Sequence, residues 1–496
     1  MTVVLDGRSL TLAQVCELAD GAPVAIHPDA TVRMARSRLV VERYLRESIP
    51  AYGLTTGLGM RAGVMLSADE ATQFSYRTVR GRAQALGPPL SGRSVRAVMV
   101  ARLNTMLDGS AGASAAVAPF MVEVLNRGLV PMMPGIGSIG SGDLVAMASM
   151  AHAFIGEGRM LADGRAAPAA QILATAGLAP LALLPKDGAV LCNNTAFSTG
   201  LAALAALAAR TTLEALQVAG ALSLEGFRGN SSPFGRAVLR LRPQPGQVAA
   251  GDAIRALLMG GELLGEGAAR RLQDPLSLRC MAQVNGAAFA ALDDLDHCIL
   301  VELNSSPDNP AVLVDEGVCV TTGNFHLSRL AQTLDSAARS LAWCATDSVS
   351  RVQRLMSAAT SALPPLLSSD DGDRAGFGPL LKPMEALRAH IIHLSNPVPV
   401  MASHNADGIE DSATFAALAA QKLAELLTQL RLLVAAELIA AAQAVDLRGT
   451  PISPALQRVH GGVRQLSAFI DADRPIGSEI EAVAQQLEGL IELAQA

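Results

Sequence analysis

At 496 residues the chain is long enough to bury a large core, and half of those residues are hydrophobic. A net charge of -6 and an aromatic content of only 3% leave neither a basic footprint nor a stacking surface, which excludes nucleic acid as a partner. Six cysteines (Cys16, Cys192, Cys280, Cys298, Cys319, Cys344) stand without a CxxC pair or a histidine at ligand spacing, so the sequence argues for no metal and for a reduced, cytoplasmic protein.

The opening Met1 to Asp6 lacks the basic start and apolar run of a signal peptide. Val3 to Leu5 and Val24 to Ile26 predict short strands around an amphipathic helix from Leu12 to Leu18, and Asp29 is expected to cap a helix through Arg46. Ala51-Tyr52-Gly53-Leu54-Thr55-Thr56-Gly57-Leu58-Gly59 places three glycines after a tyrosine and reads as an irregular loop free to move. Tyr52 is one of three tyrosines, with Tyr44 and Tyr76. A phenol titrates at about 10 when unperturbed, so Tyr52 serves as a general base only if positive charge or hydrogen bonds favour its anion; otherwise it is a loop anchor.

Gly137-Ser138-Ile139-Gly140-Ser141-Gly142-Asp143-Leu144 heads an apolar helical run that continues to Glu157. Its ordinary reading is a flexible turn entering a capped helix. A chemical reading also exists. If the Gly142 nitrogen attacks the Gly140 carbonyl and Ser141 loses water, the tripeptide closes into a methylidene-imidazolone ring (MIO). The first residue supplies a carbonyl, the second a hydroxyl to eliminate, and the third a nitrogen unobstructed by a Cβ.

Further on, Lys186 to Thr195 leads into a helix from Phe197 to Glu225, and Arg279 falls in the proline-containing loop Gln273 to Cys280. Glu302 to Pro310 and Thr322 to His326 bracket a short hairpin, and Leu363 to Gly378 reads as a loop. From Phe325 to Ala359 and from Thr414 to Leu447 the Ala/Leu pattern predicts helices of roughly 50 Å. They are apolar nearly all round, including Leu426, Leu432, Leu433 and Ile439, which favours a bundle shared between subunits over a thick monomeric one. Glu437 and Gln443 within Leu432 to Val445 mark that run as buried helix, so no membrane partner is expected.

In order and spacing these segments resemble the aromatic amino acid ammonia-lyase family, its histidine ammonia-lyase branch most of all, from Leu10-Thr11-Leu12-Ala13-Gln14 to the helices after Glu410. The resemblance implies a mainly α, long-helix bundle of the histidine/phenylalanine ammonia-lyase type with small β elements near the active site. It covers residues 1–496 as one unit, with 1–195 carrying the tyrosine loop and MIO segment and 196–496 the helical bundle. It also implies a homotetramer acting on a small-molecule amino acid, whose amine adds to the self-formed MIO while a tyrosinate removes the β-proton, giving an α,β-unsaturated acid and ammonia.

Residue by residue, Tyr52 matches the family's base in Y-G-x-x-T-G-x-G, and Ser141 and Gly142 the last two positions of its Ala-Ser-Gly ring. Asn193 matches the asparagine that holds ring and substrate, and Arg279 the α-carboxylate clamp of Q-D-P-Y-S-L-R-C, a role suited to a guanidinium fork. Gln273 and Leu276 of that segment, Phe325 of G-N-F-H and Glu410 of the Q-E-D segment are further substrate-binding positions. Each also has a plain structural reading as ion pair, core or helix start.

The chain departs from the family pattern at several points. G-S-V-G-A-S-G-D-L is here G-S-I-G-S-G-D-L, so either Gly140 takes the first ring position in a loop one residue shorter or no ring forms. Asn194 replaces a glycine, Leu276 a tyrosine, and Gly81-Arg82-Ala83 stands where histidine lyases have Ser-His-Ala. Arg80 or Arg82 would meet an acidic group on the substrate or sit in a surface ion pair. An aminomutase, or a silent tetrameric homologue that binds a ligand, are the alternative readings.

Overall fold

The computed structural model describes residues 1–59, 62–369, 372 and 374–496; Asp370, Asp371 and Asp373 of the predicted 363–378 loop lie outside the described residues. Helices dominate, and the strands form sheets of two or three. The fold is mainly α, as the apolar periodicity requires. Its longest helices are Ala196–Phe227, Met281–Leu303, Ser328–Met356 and Ala416–Arg448.

Local signals set most boundaries. Val3–Leu5 and Val24–Ile26 pair in parallel around the helix Leu12–Ala19, whose Thr11 and Gln14 make a reciprocal capping box. The helix Pro28–Arg46 is capped by His27 rather than Asp29: the ring Nδ1 accepts from the Asp29 amide at 3.3 Å, and the proline fills the first helical position. The helix after Asp143 ends at Phe154, short of Glu157, because Gly156 turns to φ +82° and its amide closes on the Ala153 carbonyl at 3.0 Å.

The chain forms two compact units. The first comprises Met1–Leu207, Asp296–Leu334 and Pro397–Gln421. At its centre the helix Gly92–Leu107 is buried from Val95 to Leu107. Arg102 in that helix grips Asp308 through two hydrogen bonds, 2.9 and 3.2 Å, fixing the approach to the hairpin Ala311–Leu313/Val318–Val320. Another antiparallel pair of this unit, Met401–Asn405 with Glu410–Ala413, carries Glu410.

The second unit comprises Ala208–Leu295, Asp335–Asn396 and Lys422–Ala496. Its core holds a charge cluster: Arg351 Nε and Nη2 donate to the Glu437 carboxylate at 2.6 and 2.8 Å, both side chains fully buried, and Ser223 adds a third bond at 2.8 Å. The helical run Asp187–Phe227 is long and apolar enough to cross a bilayer, but 89% of its most apolar stretch is buried within the protein, which marks it as a core helix.

Breaking the internal pair leaves an uncompensated buried charge. Glu437→Ala is therefore expected to lower the stability of the second unit by about 3–5 kcal/mol, read as an earlier unfolding transition in urea.

Candidate active site

The Gly140-Ser141-Gly142 turn is held in one shape by partners far away in sequence. Gly140 and Gly142 lie at φ +77° and +78°, a conformation that glycine adopts without strain. Between them Ser141 makes an antiparallel bridge with His326: the Gly142 amide donates to the Phe325 carbonyl at 3.1 Å, and the Leu327 amide donates to the Gly140 carbonyl at 3.2 Å. The Thr414 hydroxyl also donates to the Gly140 carbonyl, at 2.9 Å, and the Ser141 hydroxyl donates to the Ser412 carbonyl at 2.6 Å. Ser412 is itself hydrogen-bonded to His326 Nε2, 3.0 Å away.

Asp143 secures the turn from behind. Its buried carboxylate accepts from the amide and the hydroxyl of Ser198, each at 2.8 Å, and from the Ser138 hydroxyl. It thus caps the neighbouring helix Ala196–Phe227 and not the one it begins. Burial raises its affinity for a proton, and these donors act against that rise.

The tyrosine loop, expected to be irregular, is tied down. Ala51 and Leu54 pack with Val40, Val41, Tyr44 and Val312, and Thr55 accepts from the Ala51 amide at 2.8 Å while donating to the Ile49 carbonyl at 2.6 Å. The Gly59 amide, with Gly59 at φ +59°, donates to the Tyr52 phenolic oxygen at 3.0 Å. The phenol's own proton is left for another acceptor.

Asn193 donates from Nδ2 to the Asn309 carbonyl at 2.9 Å and turns its Oδ1 toward Gly142, 3.0 Å from where a Cβ would stand. Asn194, in the family's glycine position, serves the long helix instead, its Oδ1 accepting from the Ala196 amide at 3.0 Å where that helix starts. Close by, buried Lys186 donates to the Pro310 and Ala111 carbonyls, and burial lowers its proton affinity.

These elements enclose a cavity of about 890 Å³ whose lining includes Tyr52, Arg82, Ser141, Asn193, Phe325 and Glu410. Asn309, His326 and Ser412 also line it. Arg80 and Arg82 have different fates. Arg80 forms a bidentate surface pair with Glu157, at 2.8 and 2.5 Å, whereas Arg82 faces the cavity with no side-chain hydrogen bond or ion pair among the described residues.

Arg279, Leu276 and Gln273 belong to the second unit, and the cavity lining is drawn from the first. The Gln273 amide oxygen accepts from the Arg279 guanidinium at 2.5 and 3.2 Å, Arg279 Nε is buried without a partner among the described residues, and Leu276 is exposed. Sequence reasoning missed Thr414, Ser412 and His326, although His326 stands in the G-N-F-H motif and Thr414 at the start of a predicted helix.

The turn fits an MIO precursor. A carbonyl held by two donors, a serine hydroxyl facing the cavity and a glycine nitrogen stand in sequence, beside Asn193. A Cβ on Gly140 would lie 2.0 Å from Thr414 Oγ1, so the family's alanine has no room here and glycine is the residue this geometry takes. Among the described residues no cluster of histidine, cysteine and carboxylate side chains would hold a metal.

A helical chain presenting such a turn, a tyrosine and a carboxylate in one cavity has the make-up of a carbon–nitrogen lyase. The sequence profile of the family described as aromatic amino acid lyase matches residues 10–465. Histidine ammonia-lyase of Anaeromyxobacter sp. (strain K) is 36% identical, with 99% of this chain and 100% of that protein covered. Among solved structures, the ergothioneine-degrading enzyme ergothionase of Treponema denticola, bound to desmethyl-ergothioneine sulfonic acid, superposes with a TM-score of 0.94 at 28% identity over 99% of both chains. Tyrosine aminomutase of Streptomyces globisporus gives 0.92 at 29% identity, over 100% of this chain and 98% of that one. The chain belongs to the aromatic amino acid lyase family, on its histidine ammonia-lyase branch, and is a carbon–nitrogen lyase that eliminates ammonia from an amino acid.

Behind the turn, burial pushes the Glu302 carboxyl up to about 7, and the negative charge of Asp143 adds to the effect. The folded form therefore holds this proton more tightly than the unfolded chain, and its contribution is lost as pH rises from the ordinary carboxylate range through about 7. Glu302→Gln is expected to leave stability unchanged near pH 4 and to raise it over wild type above pH 7, as measured by urea denaturation across that range.

Proposed function

We propose that the chain releases ammonia from an α-amino acid bearing an imidazole or aromatic side chain, histidine-like in the first instance, to give an α,β-unsaturated acid. The observation that carries this reading is the convergence of Tyr52, Ser141, Asn193, Phe325 and Glu410 on one cavity of about 890 Å³. Formed from Gly140-Ser141-Gly142 beside Asn193 and Phe325, MIO would supply an electron-poor alkene that turns the substrate amine into a better leaving group.

The chain's own residues do the rest. Tyr52 takes the β-proton at its phenolic oxygen, with the Gly59 amide holding that oxygen in place. Glu410 accepts an N–H from the substrate's ring, Phe325 packs against it, and Asn193 orients the amino acid beside Gly142. Arg82 reaches the same cavity and gives it affinity for an acid group carried on the substrate side chain. Similarity to an enzyme solved with a sulfonic acid bound supports a cavity of this fold taking such a group.

Arg279 grips the α-carboxylate with Gln273 and Leu276 beside it. The cavity of the first unit lacks these residues, so the reading makes them the contribution of a second copy within a homotetramer. Six free thiols suit a reducing, cytoplasmic setting.

Purified protein is to be incubated with amino acids carrying imidazole, phenyl, phenol and acid-substituted imidazole groups. Ammonia and an unsaturated acid are expected from at least one; no product from folded enzyme across the set would sink the proposal. Similarity to tyrosine aminomutase favours a second reading, which a β-amino acid product would reveal. Folded protein that binds these compounds without turnover would mark the silent homologue.

Tyr52→Phe should lower kcat by about 10²–10⁴-fold while ligand binding persists. Arg82→Gln should raise KM selectively for acid-substituted substrates. Co-expression of Tyr52→Phe with Arg279→Ala should restore activity to about one quarter of wild type, because some sites then combine an intact Tyr52 with an intact Arg279 from another copy. A site complete within one chain would give no recovery.

A further inference from the structure

The Gly140 carbonyl, the group that would be attacked in ring closure, is held by two donors. Two donors from separate parts of the first unit converge on its oxygen: the Thr414 hydroxyl at 2.9 Å and the Leu327 amide at 3.2 Å. Gly140 and Thr414 are both buried, with Thr414 only 7% exposed, so water does not screen these dipoles. The Leu327 amide is half of the Ser141–His326 bridge, and the Thr414 hydroxyl also accepts from the Ala416 amide at 3.3 Å, which fixes where it points. The Thr414 hydroxyl stands where the Cβ of any other residue at 140 would be, 2.0 Å from that position.

We propose that Thr414 and the Leu327 amide form an oxyanion hole for the backbone condensation at Gly140, with Thr414 a positioning residue for maturation of the enzyme and not for its turnover. The inference rests on the reading that the Gly140-Ser141-Gly142 ring forms. In that step the Gly142 nitrogen bonds to the Gly140 carbonyl carbon and gives up its proton, and the carbonyl π pair moves onto the Gly140 oxygen. That oxygen then leaves as one water, carrying the Gly142 proton and the Ser141 amide proton as a C=N bond forms between the Gly140 carbon and the Ser141 nitrogen, and Ser141 loses its Cα hydrogen and its hydroxyl as a second. The sum is two waters removed, with no oxidant or reductant required.

Negative charge therefore develops on the atom to which both donors point, and only during closure. Such donors bind the charged oxygen more strongly than the neutral carbonyl, which lowers the barrier. The Gly142 amide donates to the Phe325 carbonyl at 3.1 Å, so that contact opens as the nitrogen turns inward. The other bridge contact, from the Leu327 amide, holds the Gly140 carbonyl while this happens. The Ser141 hydroxyl, engaged by the Ser412 carbonyl at 2.6 Å, stays clear of the attacking nitrogen.

The geometry also accounts for the shortened segment. In a loop lacking the family's alanine, the space of the missing methyl is filled by the group that polarises the carbonyl.

The test is intact and peptide mass of the full-length protein, sampled over time after a short induction. Wild type is expected to lose the mass of two waters in the peptide spanning residues 137–144. Thr414→Val keeps the shape but removes the hydroxyl, and should slow that loss by about 10²-fold or more, leaving unshifted mass in folded protein. Thr414→Ser restores a hydroxyl and should recover the shift. Circular dichroism and thermal melting check that each variant folds. Wild type and Thr414→Val shifting at the same rate would overturn the proposal while sparing the lyase reading. A wild type that never shifts would overturn both.

Discussion

The site depends on a single backbone conformation, the left-handed turn at Gly140. With φ at +77° and no Cβ, Gly140 lets the segment 414–416 close directly on the turn: the Thr414 and Phe415 amides both donate to the Ile139 carbonyl at 2.9 Å. Phe415 adopts φ +53° to make this possible, a conformation that a bulky residue reaches only with support from its surroundings. The strand Glu410–Ala413 is thereby laid against Ser141, bringing Glu410 and Ser412 into the wall of the cavity. Any side chain at 140 would push this wall away.

A second layer of constraint is electrostatic. Asp143, Lys186, Asp187 and Asp308 are all buried close to the site, and each is held by donors or acceptors and not left to solvent. Buried polar groups of this kind are costly unless fully bonded, and when fully bonded they specify one arrangement. Arg102 fixes Asp308, Asp308 precedes Asn309, and the Asn309 carbonyl receives Asn193. A chain of bonds thus runs from the centre of the first unit to the asparagine beside the turn.

The helices were readable in the sequence because apolar periodicity is a local property that the core preserves. The Gly-Ser-Gly run and Tyr52 were equally visible, since rare residue types in a fixed order carry chemistry without reference to the fold. Thr414, Ser412 and His326 were not, because their importance comes from a bridge between positions 141 and 326 and from contacts between segments far apart in the chain. No periodicity encodes such a pairing. The cap at His27 was missed for a different reason: a ring nitrogen served where a carboxylate is the usual choice.

Arg80 and Arg82 illustrate how the fold decides between uses of the same side chain. Two positions apart on the helix Ala68–Arg82, they are separated by about 200° around its axis, so both cannot face the same way. Arg80 turns to Glu157 and is neutralised in solvent, where such a pair contributes little. Arg82 turns to the cavity, whose lining it shares with Glu410 and Asp411, and forms no side-chain hydrogen bond or ion pair among the described residues. The same argument separates Asn193 from Asn194: adjacent residues of identical chemistry, one turned to Gly142 and the other spent on a helix start. At each pair the sequence offers two candidates, and the direction of the backbone selects one.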